Sequence, residues 1–298
     1  MIHIINNDFD LYKSDKINYI KSLDFAKNIS NNVSNKKLIF HCLWRVPREF
    51  GRKQAGVLKS ILVNHYENID NLEINFWSNV DLSTSHYLTD ISKYINFKIW
   101  NFDEEKKDTI FDNYPHINNN LIQDSKCYLE GDIFRLLVLH KYGGFYIDMD
   151  VLVLRNMMPL NDSEFLYQWG TSGNNNEPFS INGAIMRLDK NSPLSSEFLE
   201  LICNTKFISN TTCLGNRLYS RIQKNPLLVL PCVWFNSEWG FEDTIIDPFK
   251  KIEKTDLFDG AFTWHWHNKW DDEIEDGSKF QILEEKHDKL FEIINNKN

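Results

Sequence analysis

The chain has 298 residues, 42% hydrophobic and 25% charged, with a formal charge of −9 at pH 7. That acidity excludes extended nucleic-acid binding, which needs a stripe of Lys and Arg to displace counterions from phosphates, while a single small anion neutralised by a bound cation stays compatible with it. No apolar run approaches the length of a bilayer span, and Met1 to Asp10 lacks the basic-then-apolar pattern of a signal peptide, so the expectation is a cytoplasmic protein without a transmembrane segment.

In the absence of a Gly/Ser/Pro-rich linker the chain reads as a peripheral helical segment over 1–36 followed by one catalytic domain over 37–298. Ile17, Ile20 and Leu23 stand at helical spacing in the first segment. A strand follows over Leu38 to Trp44, then a basic loop through Arg45, Arg48, Arg52 and Lys53, then a helix around Val57 to His65. Further strands are predicted over Leu72 to Trp77, where apolar and polar residues alternate, and over Ile95 to Trp100. Strands alternating with helices indicate an α/β fold with a mainly parallel sheet. Residues 125–142 read as a helix stopped by Gly143 and Gly144, and a strand over Phe145 to Leu154 follows directly. Gly170 to Ser180 reads as a long surface loop, Asn182-Gly183-Ala184-Ile185 as the start of a strand, and Phe280 to Ile294 as the last helix. The five cysteines, Cys42, Cys127, Cys203, Cys213 and Cys232, are scattered with no CxxC pair, which argues against structural zinc and a disulfide framework.

The chemistry centres on the strand after the double glycine. If side chains alternate along it, Tyr146, Asp148 and Asp150 share one face, with the two aspartate α-carbons roughly 6.5–7 Å apart. Two oxygen-bearing carboxylates, costly to bury uncompensated and with no thiolate nearby, call for a positive partner such as Mn²⁺ or Mg²⁺. An Asp-x-Asp pattern is expected about once by chance in a chain this long. Asp8-Phe9-Asp10 repeats it in a polar segment and reads as solvated surface. Asp148 and Asp150 differ in context, because a strand leaving a helix and a Gly-Gly turn presents them at the carboxyl end of a sheet, where α/β folds bind ligands. In the helix that runs into this strand, Asp132 and Arg135 are spaced i, i+3 and can reach the same site.

Asp132-Ile133-Phe134-Arg135 followed by Tyr142-Gly143-Gly144-Phe145-Tyr146-Ile147-Asp148-Met149-Asp150 resembles the signature of the DXD-containing sugar-transferase family, which includes capsular polysaccharide enzymes, initiating mannosyltransferases and α-1,4-galactosyltransferases and is related to the large glucosylating toxins. The resemblance implies a GT-A-type fold with a Rossmann-like sheet and flanking helices, a UDP- or GDP-sugar donor, a divalent metal and transfer with retention to a glycan, lipid-linked or protein acceptor. Residue by residue, Asp150 matches the direct metal ligand and Asp148 the contact to donor ribose or sugar and a metal-bound water. Asp132 and Arg135 match donor-sugar contacts. The order Lys37, Ile39, His41, Trp44 is similar to the family's opening strand, with Trp44 placed to pack on the donor base or in the core.

Phe262 to Trp270 alternates, which puts His265 and His267 on one face and aromatics on the other. The resemblance implies that such a carboxy-terminal segment closes the donor site. His267 is the preferred third metal ligand and His265 the alternative, with Lys269 and Trp270 set to touch the diphosphate. Asn182 stands where the family places residues near acceptor and donor sugar, whereas Gly215-Asn216 departs from the Gly-Pro of many relatives. Competing classes are a metal-dependent phosphohydrolase using the same acidic pair, and a catalytically silent sugar-binding module.

Overall fold

The computed structural model describes residues 16–29, 36–169, 180–206, 214, 218–219, 221–236, 248–251 and 259–296. Asp8-Phe9-Asp10, Cys213, Gly215-Asn216 and all of the expected loop at 170–180 but Ser180 lie outside them.

The amino-terminal half runs α1 (Lys16–Asn28), β1 (Leu38–Trp44), α2 (Arg52–Asn64), β2 (Leu72–Ser78), β3 (Ile95–Ile99), the short α3 (Phe102–Glu105) and α4 (Asn119–Ile122), then α5 (Tyr128–Tyr142) and β4 (Gly144–Ile147). After it come β5 (Val151–Val153), β6 (Phe165–Trp169), β7 (Ser180–Leu188), α6 (Pro193–Cys203), β8 (Leu228–Leu230), β9 (Thr263–His265) and α7 (Lys279–Asn295). Seven strands form one sheet in the order β3-β2-β1-β4-β7-β6-β8, while β5 and β9 pair as a separate antiparallel ribbon. Only β7 opposes its neighbours; the other pairings in the large sheet are parallel.

This is the mixed α/β architecture expected, built as three layers. Val57, Leu58 and Ile61 of α2 join Phe280 and Leu283 of α7 in one apolar cluster. Ile133 and Leu137 of α5 join Phe198 of α6 in the cluster on the other side. With both faces covered, β2 is buried at every position from Ile74 onward, so the alternation read from its sequence does not describe its environment. Helix α1 lays the fully buried Ala26 into the core, and its Ser22 carbonyl accepts from the Trp234 indole at 3.0 Å.

Two local devices position the site. Helix α5 begins at Tyr128 and not at 125, because the Asp124 carboxylate accepts from the backbone N–H groups of Tyr128 and Leu129 at 3.1 and 2.7 Å and so caps the first turn from outside it. At its far end Gly143 and Gly144 take φ of 71° and 101°, and a Cβ on Gly144 would lie 2.5 Å from the Ile39 carbonyl oxygen. That turn is pinned to β1 by His41, whose ring lies 3.1 Å from the Gly143 oxygen through Nε2 and accepts from the Trp77 indole at 3.2 Å through Nδ1.

The strand expected over Phe145 to Leu154 is two strands in two sheets. β4 ends at Ile147, a turn closes with the Val151 N–H donating to the Asp148 carbonyl at 3.1 Å, and β5 departs to pair with β9. Apart from Asp148 and Asp150 the run is apolar on both sides of the turn, so its own pattern carries no sign that its hydrogen-bonding partner changes. Likewise only Thr263–His265 of the alternating carboxy-terminal stretch is strand; His267 and Asn268 turn away at φ of 57° and 59°.

Candidate active site

Strand order 3-2-1-4 places β1 between β2, which precedes β4 in the chain, and β4 itself, so the sheet reverses its winding direction beside β1 and a crevice opens at the strand ends there. A cleft of about 510 Å³ occupies that position. Asp148 and Asp150 both line it, together with Asp132, Arg135, Tyr146, Trp44, Asn182, His265, His267 and Trp270. They meet there through the turn after β4, not through strand alternation. Lys269 is the one expected contact whose side chain does not line the cleft. Its carbonyl, with those of Trp270 and Asp272, accepts from the Lys53 ammonium at 2.7, 3.0 and 2.5 Å, so Lys53 clamps this segment onto α2.

On the α5 side, the Arg135 guanidinium lies 3.4 Å from Asp132 and 3.6 Å from Asp148, and 4.9 Å over the Tyr146 ring. The Tyr146 hydroxyl donates to the same Asp148 oxygen. Asp132, spaced with Arg135 like a surface pair, is buried, and the Arg135 side chain is mostly so at 13% exposure. Burial disfavours the Arg135 charge, but Asp148, Tyr146, Tyr219 and Asp132 together hold its pKa well above the usual value. Burial also pushes the Asp148 carboxyl up; Arg135 opposes that shift and Asp150 adds to it.

On the ribbon side the balance reverses. Asp150 is more deeply enclosed than Asp148 and burial raises its pKa, yet His265, 3.2 Å away, and the Asn268 N–H, donating to Oδ2 at 2.9 Å, carry it below the ordinary value. The left-handed backbone at His267 and Asn268 makes this possible, since it folds the amide back toward the carboxylate while the Trp266 N–H reaches the Asp150 carbonyl at 3.0 Å. The His265 and His267 rings meet at a 32° tilt with centroids 4.0 Å apart. Burial, with His265 beside it, pushes the His267 imidazole down to about 3, so it is neutral at physiological pH and its Nε2 lies 2.9 Å from the Asn236 amide nitrogen.

These groups fit a hard cation of a particular kind. Asp150 is ionised and His267 is neutral, the states a ligand requires, and burial pushes the cleft's Cys127 thiol up to about 12, so no thiolate competes. Among the described residues no group of three or more His, Cys, Asp or Glu side chains could hold a metal by itself. Asp150 and His267 could hold a hard divalent cation whose remaining positions would be filled by oxygens from outside the protein.

At the mouth, Trp44 and Trp270 meet edge-on at 5.2 Å, with the Arg48 guanidinium 5.6 and 5.7 Å from the two rings. Trp44 is both core and wall: it is buried, donates to the Arg48 carbonyl at 3.0 Å and faces the cleft. The Asn182 side chain accepts from the Ala184 N–H at 2.6 Å. Two participants escaped sequence reading. Asn268 acts through its backbone, which carries no sequence signal, and Tyr219 arrives from a segment lying far along the chain.

Residues 59–166 match the family described as glycosyltransferase sugar-binding region containing DXD motif. An uncharacterized protein of Arabidopsis thaliana is 34% identical over 93 residues, 31% of this chain and 14% of that protein. Among solved structures, the apo form of glycosyltransferase GlyE from Streptococcus pneumoniae TIGR4 aligns with a TM-score of 0.52 at 13% identity, over 88% of this chain and 64% of that one. Galactosyltransferase LgtC, solved with donor and acceptor sugar analogs, aligns with a TM-score of 0.47 at 13% identity, over 84% of this chain and 96% of that one. This chain therefore spans under two thirds of GlyE and a small part of the Arabidopsis protein. Asp148-Met149-Asp150 falls inside the matched span and lines the cleft, and the chain's fold is similar to that of the solved glycosyltransferase GlyE.

Proposed function

We propose that this chain is a metal-dependent glycosyltransferase that moves a sugar from a UDP- or GDP-sugar to a hydroxyl acceptor with retention of configuration. The observation that carries the proposal is the meeting of Asp148 and Asp150 in one cleft at the sheet's switch point, the first locked to Arg135 and the second held ionised by the ribbon.

Breaking a glycosyl–phosphate bond builds negative charge on the departing diphosphate and positive charge at the anomeric carbon. A bound Mn²⁺ or Mg²⁺ supplies Lewis-acid stabilisation of the diphosphate oxygens. Asp150 and His267 are the groups to hold it, with His265 and the Asn268 amide fixing the carboxylate's orientation. Arg135, anchored by Asp132, orients the sugar beside Asp148 and keeps that carboxylate from repelling it. Trp44 and Trp270 offer aromatic faces for the base, and Arg48 places a cation at the mouth, the role first expected of Lys269. Attack by the acceptor from the face the diphosphate leaves, with the departing phosphate as base, requires no protein nucleophile. The acceptor is a glycan, a lipid-linked sugar or a protein. Among the described residues no helix is long and apolar enough to cross a membrane, and contact with a membrane surface remains compatible with that.

The test is incubation with a panel of nucleotide sugars and Mn²⁺. Release of nucleoside diphosphate, lost in Asp150→Ala, is the expected result; inorganic phosphate would identify a phosphohydrolase instead, and binding without turnover a silent module.

A further inference from the structure

Tyr219 is buried to 1% exposure and lines the cleft, where its hydroxyl lies beside Arg135 without a hydrogen bond of good geometry among the described residues. Buried hydroxyls in native proteins are nearly always well paired, and one left poorly paired at a cleft signals a partner that arrives with a ligand. A second feature points to the same atom. A Cβ on Gly183 would lie 2.3 Å from the Tyr219 oxygen, so the glycine is the only residue type that leaves the phenol where it is.

The surroundings define the ligand chemistry. The Tyr219 ring packs edge-on against Phe198 at 5.7 Å, which fixes its direction. Arg135, Asp132 and Asp148 act on it electrostatically, and burial pushes the phenol up, so it stays a neutral O–H at working pH. A phenol both donates and accepts, and beside it stand a guanidinium that only donates and carboxylates that only accept. A phosphate would be repelled by the two aspartates, and an ammonium by Arg135. A neutral polyhydroxylated ring satisfies all three kinds of group at once.

We infer that the Tyr219 hydroxyl, seated over Gly183, hydrogen-bonds one hydroxyl of the sugar being transferred and helps select the donor. This rests on the glycosyltransferase reading and deepens it. Tyr219 is a binding residue for the donor sugar, and Gly183 is its positioning partner.

Tyr219→Phe removes one atom and keeps the ring, so it tests the inference cleanly. With the nucleotide sugar that the unaltered chain turns over best, we expect kcat/KM to fall at least about tenfold, in the hydrolysis of donor by water as well as in transfer. Monodeoxy donors lacking the hydroxyl at one ring position should be turned over equally by both proteins, so that discrimination at that position collapses in the variant. Without donor the melting temperature should be little changed, since the ring and its packing on Phe198 are kept and the hydroxyl makes no well-formed bond. Unaltered discrimination against every monodeoxy donor overturns the inference, as does a loss seen only when acceptor is present, or a lowered melting temperature. If the unaltered chain turns over no nucleotide sugar, the glycosyltransferase reading itself fails; if it does and the variant matches it, only the role of Tyr219 fails.

Discussion

The two halves of the cleft hold the same residue type by opposite means. On the α5 side Asp148 shares a guanidinium with Asp132 and accepts from a tyrosine, all within one packed cluster, and burial still pushes its pKa up. On the ribbon side Asp150 is the more deeply enclosed of the two, but an imidazole and a backbone amide hold its pKa down. Two carboxylates two residues apart are thereby prepared for different work: one fixed as part of a sugar-orienting lattice, the other kept ionised for a cation. The difference follows from what each is attached to, since the turn between β4 and β5 sends them to different sheets.

The comparison is broken most severely by removing its shared cation. Arg135→Met leaves the buried Asp132 carboxylate without its cation and the partly exposed Asp148 with only the Tyr146 hydroxyl, and we expect a loss of about 3 kcal/mol in urea unfolding together with loss of turnover. Arg135→Lys should recover part of the stability but not the two-pronged geometry. Stability unchanged in Arg135→Met would show that the α5 cluster is not interlocked.

A smaller effect separates structure from chemistry by pH. Burial pushes His41, beneath the Gly143 turn, down to about 4, below the ordinary value near 6.5. The unfolded chain therefore takes up this proton first, so the contribution is fully present above pH 6.5 and is lost as pH falls toward 4. His65 and His287, also pushed down to about 4, add in the same direction. In a denaturant titration across that window, His41→Gln should show a shallower decline than the unaltered chain, the slope differing by up to about 1.4 kcal/mol per pH unit, the value of one proton. Equal slopes would mean that His41 titrates in the folded state as it does in the unfolded chain.

The mildest change addresses the ribbon alone. His265→Gln leaves Asp150 in place without its imidazole neighbour, and we expect Mn²⁺ affinity in the presence of nucleoside diphosphate to weaken about 10–100-fold, read by calorimetry, with little change in melting temperature. Equal affinity would place the cation away from Asp150.

Much of this was legible locally. β1 begins and ends where its apolar run does, β2 and β3 lie within a residue of their expected ends, and both glycines after α5 take the positive φ that the turn requires. Asp132 and Arg135 were readable as neighbours because helical spacing makes them so. Their burial was not, because it depends on β4 and on Tyr219, whose approach no local pattern announces. Lys269 looked available for the diphosphate on its charge; that its segment is turned and clamped by Lys53, over two hundred residues earlier, is a property of packing.

The sequence by itself determined the chemistry on offer: a carboxylate pair behind a glycine hinge, an arginine one helix away, and a histidine-rich carboxy-terminal stretch. It did so because hydrophobic period, helix spacing and glycine conformation act over a few residues. Only the tertiary structure decided that the apolar run after β4 changes partners, that Asp148 and Asp150 therefore meet in a turn with opposite surroundings, and that Tyr219 fills the space Gly183 leaves. Those outcomes depend on which distant strand or ring arrives alongside, and pairing across a hundred residues is set by global packing and not by any nearby side chain.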